Sequence, residues 1–117
     1  VVEDAEEIRR FLVTALERLG YQVLETADGP AAIEAMTAAS DIDLLLADVI
    51  LPKGMSGRDV AEAFRKHHPD AAVLYSSGYT QEILNKRGQL EDGTMLLSKP
   101  YRVQDLAQRV RDILDNR

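Results

Sequence analysis

Five side chains of this chain could do chemistry together: Glu3, Asp4, Asp48, Ser77 and Lys99. Each stands at the end of a short apolar run. Val1-Val2 leads into Glu3-Asp4, Leu44-Leu45-Leu46-Ala47 into Asp48, Ala71 to Tyr75 into Ser76-Ser77, and Leu96-Leu97-Ser98 into Lys99. Three crowded carboxylates repel one another and at neutral pH seek a cation. An all-oxygen set without His or Cys selects Mg²⁺ or a similar hard ion, which keeps several waters and accepts phosphate oxygens. Mg²⁺ and the Lys99 ammonium together would neutralise the three acids and leave the site ready for an anion. A carboxylate can attack phosphorus and form an aspartyl phosphate. Lys99 and the Ser77 hydroxyl are then the natural partners of the phosphoryl oxygens. Catalysis would consist of positioning and charge stabilisation.

These groups converge only if the apolar runs are neighbouring strands. Ile8, Phe11, Leu12, Ala15, Leu16 and Leu19 form one stripe of an amphipathic helix that Gly20 stops. Tyr21 to Thr26, holding Val23 and Leu24, reads as a short strand. Asp28-Gly29-Pro30 is turn chemistry, and Ala31 to Ala39 is a second, alanine-rich helix. Ile42 to Ala47 lacks polar alternation, as expected of a strand buried on both faces. Pro52, Gly54 and Gly57 mark the loop behind Asp48, and Val60, Ala61 and Phe64 the inner stripe of a third helix. His67-His68 closes that helix, where imidazoles suit the dipole, and Pro69 breaks the chain. Ala71 to Tyr75 is a further strand, Thr80 to Arg87 a short helix with a thin stripe (Ile83, Leu84), and Thr94 to Ser98 the last strand. Leu106, Val110, Ile113 and Leu114 give the closing helix. Such alternation predicts parallel strands, right-handed crossovers and helices on both faces, a doubly wound α/β fold. Ligands in that architecture bind outside the carboxyl ends of the strands, where the five side chains fall.

The 117 residues are 45% hydrophobic, 29% charged and 5% aromatic. That is one domain, large enough to bury a core without metal or disulfide support. No apolar run approaches the ~18 residues of a membrane span, and no charged-then-apolar leader is present. The absence of cysteine excludes disulfides, thiolate metal sites and thiol catalysis, and fits a reducing compartment. Fourteen basic against twenty acidic side chains give a net charge of -6, which repels a nucleic-acid backbone. Val1-Val2 reads as the end of a strand whose beginning is missing, so residues 1–117 are expected to be one domain of a longer protein.

The chain resembles a receiver (response regulator) domain of bacterial two-component signalling over essentially its whole length. The resemblance rests on Glu3-Asp4, on Leu44-Leu45-Leu46-Ala47-Asp48 with Pro52 and Gly57 behind it, on Ser77-Gly78 and on Lys99-Pro100. Each motif is weak alone, but in this order and spacing they are highly specific. Leu51-Pro52-Lys53-Gly54-Met55-Ser56-Gly57, Ser77-Gly78-Tyr79-Thr80 and Leu97-Ser98-Lys99-Pro100-Tyr101 are most similar to receivers fused to hybrid sensor histidine kinases. The resemblance implies a flavodoxin-like fold, a five-stranded parallel sheet in the order 2-1-3-4-5. It implies that Asp48 accepts a phosphoryl group from a phosphohistidine and that Mg²⁺ (or Mn²⁺) is held by Glu3, Asp4, Asp48 and the backbone carbonyl of Ile50. Ser77 and Lys99 would contact the phosphoryl oxygens, and Lys99-Pro100 would be cis. Phosphorylation and dephosphorylation would be self-catalysed and would switch the conformation. The implied partner is a sensor histidine kinase or a histidine phosphotransfer domain, in the bacterial cytoplasm, with no nucleic acid or membrane bound by this domain. The implied oligomeric state is a monomer or weak dimer.

Glu3 stands where an aspartate is common, Leu96 where many relatives carry an inward-swinging aromatic, and one residue is inserted between Pro52 and Gly57. Ile50 and Tyr79 flank the expected path of a hydrolytic water, and their bulk is expected to slow dephosphorylation. The polar stretch Gly88 to Gly93 is expected to shorten the preceding helix. A simpler reading makes Asp4 a helix cap completed by Glu7. An aspartate-nucleophile phosphatase is disfavoured because Ile50 occupies the place of its second acid. A degenerate, purely protein-binding receiver is disfavoured by the intact Asp4, Asp48, Ser77 and Lys99. A single-domain regulator remains the alternative to a hybrid-kinase origin.

Overall fold

Gly20 ends the first helix as its position in the sequence predicts, in a left-handed conformation (φ 96°) that leaves α1 at Glu6–Arg18. The computed structural model describes residues 1–78 and 95–116. The expectations for Tyr79, for the helix at Thr80 to Arg87, for the stretch Gly88 to Gly93 and for a strand start at Thr94 lie outside the described residues. The Asp28 carboxylate accepts the Ala31 N–H and starts α2 (Gly29–Ala38), with Pro30 in its first turn. The leucine run forms β1 (Leu44–Asp48), so Asp48 is the last residue of the strand. Ser56 and Asp59 exchange capping bonds at the start of α3 (Gly57–His67). Then come β2 (Ala72–Ser77), β3 (Leu96–Ser98) and α4 (Val103–Asp115).

The described strands form a parallel sheet in the order β1-β2-β3, with Asp48 level with Ser76 and Ser77 level with Ser98. Val2 adds single parallel bridges to Ala47 on one side and Thr26 on the other. The spatial sequence Thr26, Val2, β1, β2, β3 is therefore the expected 2-1-3-4-5. The run Tyr21 to Thr26 was expected as a strand; its end pairs, with the Leu24 carbonyl accepting from the Val1 amino group at 2.9 Å and Thr26 forming the bridge to Val2. Its neighbour offers a short ladder: Thr26 N–H donates to the Val1 carbonyl and Glu3 N–H to the Thr26 carbonyl. Gln22, Leu24 and Glu25 are exposed, so little burial holds the rest in register.

Strand alternation divides the core between two faces. Leu46, Leu74 and Leu97 pack with Leu12 and Leu16 of α1 and Leu106 and Val110 of α4. Leu45, Ala47, Tyr75 and Leu96 pack with Met36 of α2 and Val60 and Phe64 of α3. Each such side chain contributes on the order of 1.5–3 kcal/mol by leaving water. The histidines close α3 as the dipole argument suggests. His67 Nδ1 lies 3.0 Å from the Ala63 carbonyl, and buried His68 lies 3.1 Å from that of Met36 while stacking on Phe64.

Candidate functional site

All parallel strands point the same way, so their last residues meet at one rim. Val2 is bonded into the ladder beside β1: its N–H donates to the Leu46 carbonyl and its carbonyl accepts from Asp48 N–H. That pairing carries Glu3 and Asp4 past the end of the sheet next to Asp48. One carboxylate oxygen from each of Glu3, Asp4 and Asp48 lies within 4.8 Å of the others. Lys99, immediately after β3, donates through Nζ to Glu3 Oε1 (2.7 Å) and to Asp48 Oδ2 (2.9 Å). Its backbone N–H donates to the Ser77 carbonyl at 2.7 Å, and Lys99-Pro100 is cis as expected. The Ile50 N–H donates to Asp48 Oδ1 at 3.3 Å, which orients the second oxygen of that carboxylate.

The pocket is buried in an uneven way. Glu3 is 2% exposed and Asp48 8%, whereas Asp4 is open to solvent. Burial, followed by the neighbouring Asp48 carboxylate, pushes Glu3 up to about 7, against the pull of Lys99. Burial alone would lower Lys99, but its hydrogen bonds and charge attraction to Glu3 and Asp48 outweigh that and hold it above the ordinary lysine value. One cation thus serves two acids. Glu3 Oε2 is buried and has no hydrogen-bond partner among the described residues. An unpaired buried carboxylate oxygen is costly, and on a residue clustered with Asp4 and Asp48 it is one that a hard divalent cation would satisfy. The donor set therefore fits Mg²⁺: oxygen ligands, one exposed side for retained waters, and excess negative charge.

Asp4 does not cap α1. Ala5 occupies the N-cap without a side-chain bond, so the simpler reading of the acidic pair fails and its carboxylate is free for other work. The structure brings together Glu3, Asp4, Asp48 and Lys99, with Ile50 held by its N–H to Asp48. Ser77 is 1% exposed and joined to Lys99 through the backbone. Three contacts bear on the site, and the first two carried no signal in the spacing. Arg9 donates to the Glu3 carbonyl at 2.9 Å. Lys53 pairs with Asp28 at 2.9 Å and adopts a left-handed φ of 65°. Gly57 lets the start of α3 approach so closely that a β-carbon would collide with the Asp48 carbonyl. Only the last, a glycine following a proline loop, could have been suspected from sequence.

Comparisons with known proteins agree with this geometry. The family model described as the response regulator receiver domain matches residues 1–111. The sensor kinase CckA of Brucella abortus is 32% identical over 98% of the chain, which covers 12% of that kinase. The response regulator receiver protein CpdR of the same organism is 32% identical over 97% of the chain and 93% of its own length. The crystal structure of the receiver domain from the hybrid histidine kinase CckA superposes with a TM-score of 0.78 at 38% identity, covering 97% of this chain and 94% of that one.

Proposed function

The chain belongs to the response regulator receiver family, and from that membership we propose that Asp48 is the residue that takes up the phosphoryl group. Receiver domains act in two-component signalling with histidine kinases or phosphotransfer proteins. The observation that carries the assignment is the double contact of Lys99, 2.9 Å from Asp48 and 2.7 Å from Glu3, beside the orphaned Glu3 oxygen. Of the three acids, Asp48 alone ends a central strand, has one oxygen on Lys99 and the other on a backbone N–H.

In the proposed reaction a carboxylate oxygen of Asp48 forms a bond to phosphorus as the phosphorus–nitrogen bond of a phosphohistidine breaks. The imidazole leaves with its electron pair, and the product is an acyl phosphate. Glu3, Asp4, Asp48 and the Ile50 carbonyl would hold Mg²⁺, which when bound supplies positive charge to the transferring phosphoryl oxygens. Lys99 releases its contacts with the acids and pairs with a phosphoryl oxygen, while the Ser77 hydroxyl donates to another. A groove of about 540 Å³ runs beside Lys99, lined by Ile8, Phe11, Gly78, Pro100 and Tyr101. It supports a protein donor docking at this rim. The similarity to CckA, of which the chain matches 12%, supports an origin in a hybrid sensor kinase and a cytoplasmic location. Among the described residues no helix is long and apolar enough to cross a membrane.

The test is incubation with Mg²⁺ and acetyl phosphate followed by intact mass. One phosphoryl adduct that disappears in Asp48→Ala is expected. An adduct that persists in that variant would contradict the assignment. Continuous release of phosphate from unrelated monoesters would instead favour a phosphatase.

A further inference from the structure

The start of α1 has no side-chain cap at Ala5, so the Glu3–Asp4 segment that leads into it is ordered by other contacts. The peptide joining residues 3 and 4 is planar and contains both Cα atoms. Whatever fixes that plane sets the direction in which both acidic side chains depart. Its carbonyl accepts Arg9 Nη1 at 2.9 Å, from six residues further along the chain. The Glu3 N–H, on the preceding plane, donates to Thr26. Arg9 is itself held, for Nε reaches Glu25 Oε1 at 3.3 Å, and its side chain is 18% exposed, against 75% for its neighbour Arg10. A guanidinium presents both donors in one rigid plane, a geometry that lysine cannot reproduce. Arg9 therefore joins α1, the turn after Val2 and the segment before Thr26 at one point.

We infer that Arg9 is a positioning residue for the cation site, clamping the Glu3–Asp4 peptide so that both acids face the space they share with Asp48. The inference rests on the proposed divalent-ion pocket and adds a residue that touches neither ion nor phosphoryl group. Charge alone argues in the opposite direction. Arg9 is a cation near the pocket, so removing it would strengthen cation binding if only its field mattered. Positioning makes removal weaken binding instead.

The experiment is a calorimetric titration of the whole chain with Mg²⁺, with amide chemical shifts of residues 3, 4 and 48 as a second readout. It compares the unaltered protein, Arg9→Met, Arg9→Lys and Glu25→Gln, each with its thermal midpoint in chelator. Arg9→Met is expected to weaken Mg²⁺ binding on the order of tenfold, the scale of lost outer-shell contacts. Arg9→Lys, which keeps the charge, is expected to fall between it and the unaltered protein. Equal or tighter binding in Arg9→Met would overturn the inference, as would a lowered midpoint without loss of affinity. If Arg9→Met fails to fold, Arg9→Lys and Glu25→Gln decide by the same criterion: unchanged affinity in both overturns it. An unaltered protein that takes up no Mg²⁺ would bring down the reading of the pocket itself, a separate result.

Discussion

Glu3 is the residue whose burial has the plainest thermodynamic consequence. Its carboxyl is raised from 4.5 to about 7 in the folded protein, burial being the largest cause. Between those values the folded chain holds a proton that the unfolded chain releases. Stability in metal-free buffer is therefore full below the lower value and is lost as pH rises through the upper one. Chelated protein should show an unfolding midpoint that declines between about pH 4.5 and 7, and Glu3→Gln should flatten that decline. An unchanged slope in the variant would contradict the assignment of the effect to Glu3. The candidate site residues could be picked out because each ends an apolar run, where a polar side chain has little reason to stand unless it is used. Arg9 was not legible, since its partner is a backbone carbonyl, which every residue possesses. Nor was the failure of Asp4 to cap α1, because Asp followed three residues later by Glu satisfies the pattern whether or not the bonds form.

Among the elements, the loop between β1 and α3 bears most on the site. Before Gly57 it contains two successive left-handed residues, Lys53 (φ 65°) and Gly54 (φ 72°). The strain at Lys53 is accompanied by its ion pair with the start of α2. The Ala31 N–H first and Lys53 second hold the Asp28 carboxyl below its usual range, so this latch persists as pH falls through that range and is released only below it. Lys53→Ala keeps the strain and loses the pair. Lys53→Gly loses the pair and relieves the strain, and urea unfolding should find it more stable than Lys53→Ala by about 1 kcal/mol. Gly57→Ala has no such latitude, because the new methyl meets the Asp48 carbonyl, a backbone atom. It should cost at least about 2 kcal/mol and reduce phosphoryl uptake at Asp48; wild-type stability with full uptake would contradict the close approach. The loop was visible in the sequence from Pro52, Gly54 and Gly57, but the left-handed conformation of Lys53 was not, since lysine gives no warning of it. The segment Tyr21 to Thr26 misled in the opposite direction. Val23 and Leu24 have strand propensity, yet pairing depends on what the neighbouring segment offers, and only Leu24 and Thr26 bond to it among the described residues.

At the scale of the molecule, the sheet separates two apolar layers, and the site sits on the rim between them. Leu106, fully buried against Leu12 and Leu74, anchors one layer. Leu106→Ala should lower the unfolding free energy by about 2–5 kcal/mol while leaving Mg²⁺-dependent phosphoryl uptake intact in the folded fraction. Uptake lost in step with neither stability nor folded population would show that the rim depends on the core more directly than the geometry implies. The alternation of strands and helices, the parallel order and the convergence at one edge could all be read from periodicity, because a buried parallel strand is nearly all apolar and an amphipathic helix is not. The distances at the rim could not, for they depend on how Val2 is bonded between Thr26 and Ala47. The central claim, that Asp48 becomes an acyl phosphate, is tested most directly by borohydride reduction. Chain treated with Mg²⁺ and acetyl phosphate is reduced, digested and sequenced by mass spectrometry. Homoserine at position 48, absent when chelator replaces Mg²⁺, is the result expected; homoserine at position 4, or 2-amino-5-hydroxypentanoic acid at position 3, with unmodified Asp48 would contradict the account.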